Sequence, residues 1–247
     1  MILKCQLRKN LLSVKYFWII GLLAIWLMPP FAVTQAAEPG PVFDGKTLDG
    51  WDGDKRFWRV EDGSITGQTT KDNLLEHNTF IIWREGKLGN FELELDYRIF
   101  GGNSGIQYRG WEDPKKLGKW VVGGYQADID SPRDPRWCGV LYEEQGRQFL
   151  AQRGQKTVIS DDHRPTVVST IGDSDELYSH IKFEDWNTYH IIAKGYQFVH
   201  KINGHVMIES TDNDVSKRRK SGLLAFQLHW GDPMKLQIRN IKLKQFD

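Results

Sequence analysis

Phe91-Glu92-Leu93-Glu94-Leu95-Asp96-Tyr97-Arg98-Ile99 alternates apolar and charged side chains without a break. Successive strand residues point to opposite faces, so this segment has one face to bury and one to wet. Similar signals recur along the chain. Phe57 to Gly67 reads as strand, Asp62-Gly63 turn, strand. Phe198 to Ile208 places Asn203-Gly204 between two strands, the preferred type I′ hairpin turn. Thr79–Trp83 is an apolar strand followed by a polar turn at Glu85-Gly86. Gly139–Glu144, Gln148–Ile159 (with a turn at Gly154), Trp186–Ala193, Gly222–Trp230 and Leu236–Leu243 supply further strands. Asp161 to Ile181 reads as a long loop with a short helix near Asp173–Tyr178. With no long amphipathic helix, heptad or repeat, many short strands between glycine turns predict an all-β sandwich.

The N-terminus is set aside first. Lys4, Arg8, Lys9 and Lys15 precede an apolar run of 13 residues, Tyr16–Met28, and then Thr34-Gln35-Ala36-Ala37. This is the pattern of a secretory signal peptide over residues 1–36, and the run is shorter than the roughly 20 residues of a spanning helix. Residues 37–247 are then expected to form a single domain, exported to the periplasm or beyond the cell and free of the membrane after cleavage. That segment carries 29 basic against 32 acidic residues, which argues against nucleic acid or an anionic membrane as partner. The basic run Lys217–Lys220 reads as a solvated loop. Cys138 is its single cysteine, so no intrachain disulfide is expected.

Two glycine turns run into strands at Gly101–Arg109 and Gly123–Asp130. Alternation puts Ile106 and Tyr108 on one face and Gln107 and Arg109 on the other. In the second strand Tyr125, Ala127 and Ile129 oppose Gln126, Asp128 and Asp130. If the apolar faces look inward, the outer faces carry amides, a guanidinium and carboxylates, an inventory that suits sugar hydroxyls. An ordinary solvated sheet face gives the same alternation.

The runs Phe43-Asp44-Gly45-Lys46, Asp49-Gly50-Trp51, Val60–Gly63, Gly101–Tyr108, Gly124–Asp130, Leu141–Glu144, Trp186–Tyr189, Ile202–Gly204 and Gln227–Met234 together resemble the 3-keto-disaccharide hydrolase domain family. That family is also described as 3-keto-glucoside 1,2-lyase and 3-keto-2-hydroxy-glucal hydratase. The resemblance implies a concanavalin A-like jelly-roll β-sandwich, export, and a 3-keto sugar as substrate; whether a sugar oxidoreductase acts upstream as a partner to make that sugar stays open. It brings no fixed set of metal ligands. No cofactor is evident in the sequence, and a divalent metal ion stays open.

The chemistry so implied is an elimination. A 3-keto group acidifies the hydrogen on carbon 2; a base removes it, the glycosidic oxygen leaves carbon 1, and water adds back to the enone. Such a site needs a base, donors or a metal for the enolate, and an acid at the leaving oxygen. Asp128 is a candidate base, or else a turn-stabilising or calcium-binding carboxylate. Glu143 is a candidate acid or base, with Glu144, pointing the other way, assigned to a surface salt bridge. His229 can titrate near neutral pH, ligate a metal, or be structural. Asn103 and Arg109 can hold the ketone or enolate oxygen, unless Arg109 pairs with Asp128 or Asp130. Gln107, Tyr125, Gln126, Asp130 and Gln227 suit substrate binding. Trp111, Trp120 and Trp137 can stack on a sugar or cap the core. His200 and His205 flank the Asn-Gly turn and are expected to be exposed.

Two other functions compete: a lectin-like carbohydrate-binding module on the same sandwich, and a conventional two-carboxylate glycosidase. Laminarinase-type sandwiches often carry Glu-x-Asp-x-x-Glu on one strand. Here Ile99 stands where the second Glu belongs, which counts against the glycosidase.

Overall fold

The computed structural model describes residues 42–131 and 137–246, so the leader expected at residues 1–36 and Pro132–Arg136 lie outside the described residues. Residues 40–247 form one compact unit. In chain order the strands are β1 (Trp51–Asp52), β2 (Trp58–Glu61), β3 (Ser64–Gln68), β4 (Thr79–Leu88), β5 (Asn90–Phe100), β6 (Asn103–Glu112), β7 (Val122–Asp130), β8 (Leu141–Glu144), β9 (Gln148–Ala151), β10 (Gln155–Ile159) and β11 (Pro165–Thr170). After helix α1 (Ser174–Ser179) come β12 (Asn187–Lys194), β13 (Gln197–Ile202), β14 (His205–Asp212), β15 (Gly222–Leu228) and β16 (Lys235–Phe246). They make a seven-stranded sheet, β1-β4-β15-β6-β7-β8-β9, and a nine-stranded sheet, β11-β10-β14-β13-β12-β5-β16-β3-β2.

The alternation of β5 is realised as expected. Phe91, Leu93, Leu95, Tyr97 and Ile99 are buried, while the intervening residues are half-exposed. They pack with Ile106, Tyr108, Tyr125, Ala127 and Ile129 of the other sheet in the main core. Full burial of such a side chain contributes about 1.5–3 kcal/mol. The other face of the seven-stranded sheet holds a smaller apolar cluster, Phe80, Ile82, Val121, Val122 and Ala225, roofed by Leu117, Trp120 and Leu223. β7 is therefore buried on both faces along its whole length.

Several local expectations need correction. Glu85-Gly86 is not a turn, because β4 runs on to the buried Leu88, which pairs with Gly222. The stretch 161–181 contains β11 as well as the helix. β11 is exposed on both faces, so it carries no apolar alternation to reveal it. The Asn203-Gly204 turn forms with φ of 51° and 86°, as a type I′ hairpin needs. The histidines beside it part company. His205 is exposed and stacks on His180 at 3.5 Å, but His200 is fully buried with Phe198 and Ile202.

His200 Nε2 lies 3.0 Å from Tyr108 Oη, and Nδ1 3.5 Å from Tyr189 Oη. Burial pushes its pKa down to about 3. An unfolded chain would titrate this imidazole near 6.5. The folded state thus binds fewer protons than the unfolded one between these values. Its stability contribution is complete above about pH 6.5 and is lost as pH falls toward 3, with a slope of up to about 1.4 kcal/mol per pH unit. NMR should show a His200 ring that stays neutral from pH 8 down to the acid unfolding transition. A ring titrating near 6.5 in the folded protein would contradict this.

Candidate active site

The outer face of the seven-stranded sheet carries an open cavity of about 240 Å³ where β6, β7, β8 and β15 lie side by side. Gln126 and Asp128 of β7, Tyr142 and Glu144 of β8, and Gln227 of β15 form its floor and sides. Asn78, Asn103 and His229 add polar edges, and Trp137 and Phe149 add apolar wall. Asp128 is buried, and burial raises its carboxyl pKa well above the usual range. The Gln126 amide opposes that shift by donating from Nε2 to Asp128 Oδ1, whereas Asp130 and Glu144 add to it. Glu144 is likewise raised by burial, tempered by Asn78 Nδ2 and Gln145 Nε2 at 3.4 Å and Gln227 Nε2 at 3.5 Å. Two carboxyls with elevated proton affinity thus line one cavity. His229 Nδ1 is 2.6 Å from the carbonyl of Trp230. A carbonyl only accepts, so Nδ1 carries the proton and a neutral ring keeps Nε2 as an acceptor.

The floor depends on Gly105. It pairs with Asp128 in the β6–β7 ladder, and a Cβ there would stand 2.4 Å from Gln126 Cγ. Gly105→Ala should therefore push the Gln126 amide away from Asp128. Removing that donor raises the Asp128 pKa further. Whatever activity depends on ionised Asp128 should show its acid limb moved to higher pH, read from a pH–rate profile of the variant against the parent. An unmoved limb would disconnect Gln126 from Asp128.

Of the residues expected in the site, Asn103, Gln126, Asp128, Gln227 and His229 meet in the cavity. Others do not. Glu143 and Glu144 exchange places. Leu141 and Glu143 face the core side of β8, so Tyr142 and Glu144 face the cavity. Glu143 instead accepts from Arg147 Nε at 2.5 Å. Arg109 leaves the expected face because β6 bulges after Tyr108 and Arg109 has φ of 49°. Its guanidinium is buried and donates to the carbonyls of Gly89 at 2.7 Å, Gly195 at 2.7 Å and Arg219 at 3.1 Å. Neither Asp128 nor Asp130 is its partner in these bonds.

Tyr125 sits in the core, and its hydroxyl donates to Asp212 Oδ2 at 2.5 Å. Gln107 is on the outer face, yet buried completely, with Nε2 3.4 Å from the Val122 carbonyl. Asp130 accepts from Asn103 Nδ2 at 2.6 Å and from the Trp137 amide at 3.0 Å, so it ties the Trp137 backbone to the β6–β7 pair. Trp120 donates to Asp52 at 2.8 Å and roofs the smaller cluster, while Arg219 covers Trp111. The basic run is thus partly laid on aromatic rings, since Arg218 likewise covers Tyr196.

Sequence reading missed Asn78, Tyr142, Glu144 and Phe149 as cavity residues. Strand parity could have found Tyr142 and Glu144, but Val140 and Leu141 are both apolar and leave the parity of β8 undetermined. For Asn78 and Phe149 the sequence holds no comparable signal. Among the described residues no three His, Cys, Asp or Glu side chains converge as a metal site. No described helix is long and apolar enough to cross a membrane.

The sequence model of the 3-keto-alpha-glucoside-1,2-lyase-like domain matches residues 38–244. No curated protein matches the chain significantly. Among solved structures, a presumed glycosyl hydrolase of Parabacteroides distasonis is similar with a TM-score of 0.52 and 21% identity, over 83% of this chain and 93% of its own. The carbohydrate binding module CBM66 of Bacillus subtilis gives 0.50 at 14% identity, over 79% and 96%. A Bacillus subtilis protein with a galectin-like fold gives 0.50 at 12%, over 80% and 90%. At these identities the likeness concerns the fold, and it bears out the all-β, concanavalin A-like jelly-roll sandwich.

Proposed function

Since the chain belongs to the 3-keto-alpha-glucoside-1,2-lyase-like family, we propose that this carbohydrate-active domain cleaves 3-keto-glycosides by elimination across carbons 1 and 2 followed by hydration. The observation that carries the reading is the pair of carboxyls, Asp128 and Glu144, both raised in pKa by burial and both lining one open cavity. Elimination needs a base stronger than an ordinary carboxylate and an acid that keeps its proton near neutral pH. Environments of this kind produce both.

Asp128 takes the proton from carbon 2, and the electron pair moves onto the 3-keto oxygen as an enolate. Reforming the ketone drives the carbon 1–oxygen bond to break, and Glu144 gives its proton to the departing oxygen. Ionised Glu144 then takes a proton from water as its hydroxyl adds at carbon 1 of the enone, and the proton held by Asp128 returns to carbon 2. Net uptake of one water gives hydrolysis. Gln227 Nε2, held to Glu144 only by a long 3.5 Å bond, is the amide suited to steady the enolate oxygen. Asn103 spends its amide hydrogens on Ile129 and Asp130, which leaves its oxygen for a hydroxyl. Trp137, Tyr142 and Phe149 offer apolar surface to a sugar ring. The reaction takes place outside the cytoplasm if the leader acts as its pattern predicts, on a sugar oxidised upstream by an oxidoreductase.

Matched glucosides with and without a 3-keto group, incubated with the protein with and without chelator, test the reading. Aglycone release from the keto substrate alone is the expected result. Release from the plain glucoside would point to two-carboxylate hydrolysis, in which nucleophile and acid stand about 5–5.5 Å apart in a retaining enzyme. Binding of either without release would make the domain a carbohydrate-binding module.

A further inference from the structure

Glu144 lines a second cavity as well as the first. This cavity, of about 440 Å³, meets the first at Asn78 and Glu144 and extends over Leu117 and Val121 to Trp230. Trp230 is 57% exposed, an unusual position for so large an apolar side chain. It is not loosely placed. Its backbone amide donates to Asn78 Oδ1 at 3.0 Å, and its carbonyl accepts from His229 Nδ1 at 2.6 Å. Its ring lies nearly parallel to that of His229, at an interplanar angle of 19°. The backbone of Trp230 is thus tied to Asn78, which lines both cavities, and to His229 of the first, while its indole lines the second.

An acid that protonates a departing glycosidic oxygen must stand between the ring that reacts and the group that leaves. If Glu144 is that acid, the first cavity holds the oxidised ring and the second holds the leaving group. We propose that this second cavity is the leaving-group seat and that Trp230 is the platform on which a second sugar ring stacks. A pyranose presents C–H groups on its faces and hydroxyls around its rim. The apolar indole suits the face, while Glu76, His77, Lys116 and Gln145 suit the rim. Trp230 is therefore a specificity-determining residue: it recognises what departs and takes no part in proton transfer.

This proposal rests on the elimination reading, and the test separates the two. Two 3-keto-glucosides are compared, one with methanol as leaving group and one with glucose. For the parent protein kcat/KM should favour the glucose leaving group. Trp230→Ala should lower the ratio of the two kcat/KM values about tenfold, through the glucosyl substrate, and Trp230→Phe should restore most of it, consistent with ring stacking of about this size. Equal losses on both substrates, or an unchanged ratio, would overturn the leaving-group seat while leaving the elimination reading standing. No release of either leaving group by the parent protein would overturn both.

Discussion

Asp128→Asn should lose release from a 3-keto-glucoside by about 10²–10⁴-fold, the usual contribution of a positioned general base, and should at the same time make the protein more stable at neutral pH. Both effects come from one cause. The native carboxylate is buried, and burial raises its pKa well above normal. A carboxyl whose folded pKa exceeds its unfolded value of about 3.9 binds its proton more tightly when folded. Its favourable contribution is complete below that pH and is lost as pH rises through the folded pKa. Asparagine carries no charge to desolvate, and it can accept the same hydrogen bond from Gln126 Nε2. A gain of about 1 kcal/mol is in the range for removing such a functional cost, roughly 2–4 °C in Tm for a chain of this size. Thermal unfolding at pH 7 should show the gain, and at pH values below about 4 the two curves should converge. A variant less stable than the parent at pH 7, or one that loses less than about tenfold in rate, would remove Asp128 as a strained buried base.

Arg147→Met should be the most destabilising single change considered, by about 3–5 kcal/mol. Arg147 donates to Glu143 at 2.5 Å and to Asp212 at 2.7 Å, and lies 3.2 Å from Asp214, all with side chains 7% exposed or less. Removing the cation leaves three buried carboxylates beside one another. Asp212 also receives the Tyr125 hydroxyl, and Asp214 faces His163 Nδ1 at 2.6 Å, so the network joins β7, β8 and the segment after β14. Urea unfolding should show a lower midpoint with an unchanged m-value. The penalty should shrink in acid. Burial works against ionised Asp214, but the hydrogen bonds from Ser216 and His163 and the charges of His163 and Arg147 hold its pKa at about 2. That depressed pKa contributes stability above about pH 3.8, which is lost as pH falls toward 2. The variant has less of this contribution to lose. A cost under about 1 kcal/mol at pH 7 would mean that solvent reaches the cluster and screens it.

These two residues show where sequence reading works and where it stops. Asp128 was legible because Tyr125, Ala127 and Ile129 fix the parity of β7, and no bulge interrupts that strand. Arg147 was not, because Glu143 is its one near partner while Asp212 and Asp214 lie 65 and 67 positions along the chain, and no local pattern links them. Arg109 failed for a third reason. A left-handed φ at one residue reverses a side chain's face, and an Arg in a glycine-rich strand gives no sign of it.

By itself the sequence determined the sandwich, the hairpins at Asp62-Gly63 and Asn203-Gly204, and the outward face of Gln126 and Asp128. All of these follow from alternation and turn chemistry, which act over a few residues. Tertiary structure decided which acid of the Glu143-Glu144 pair enters the cavity, and that His200 is buried beside its turn. It also decided that Asn78 and Phe149, far apart in sequence, line one cavity. Those outcomes depend on which strands become neighbours and where a strand bulges, and both are settled by packing across the whole sandwich.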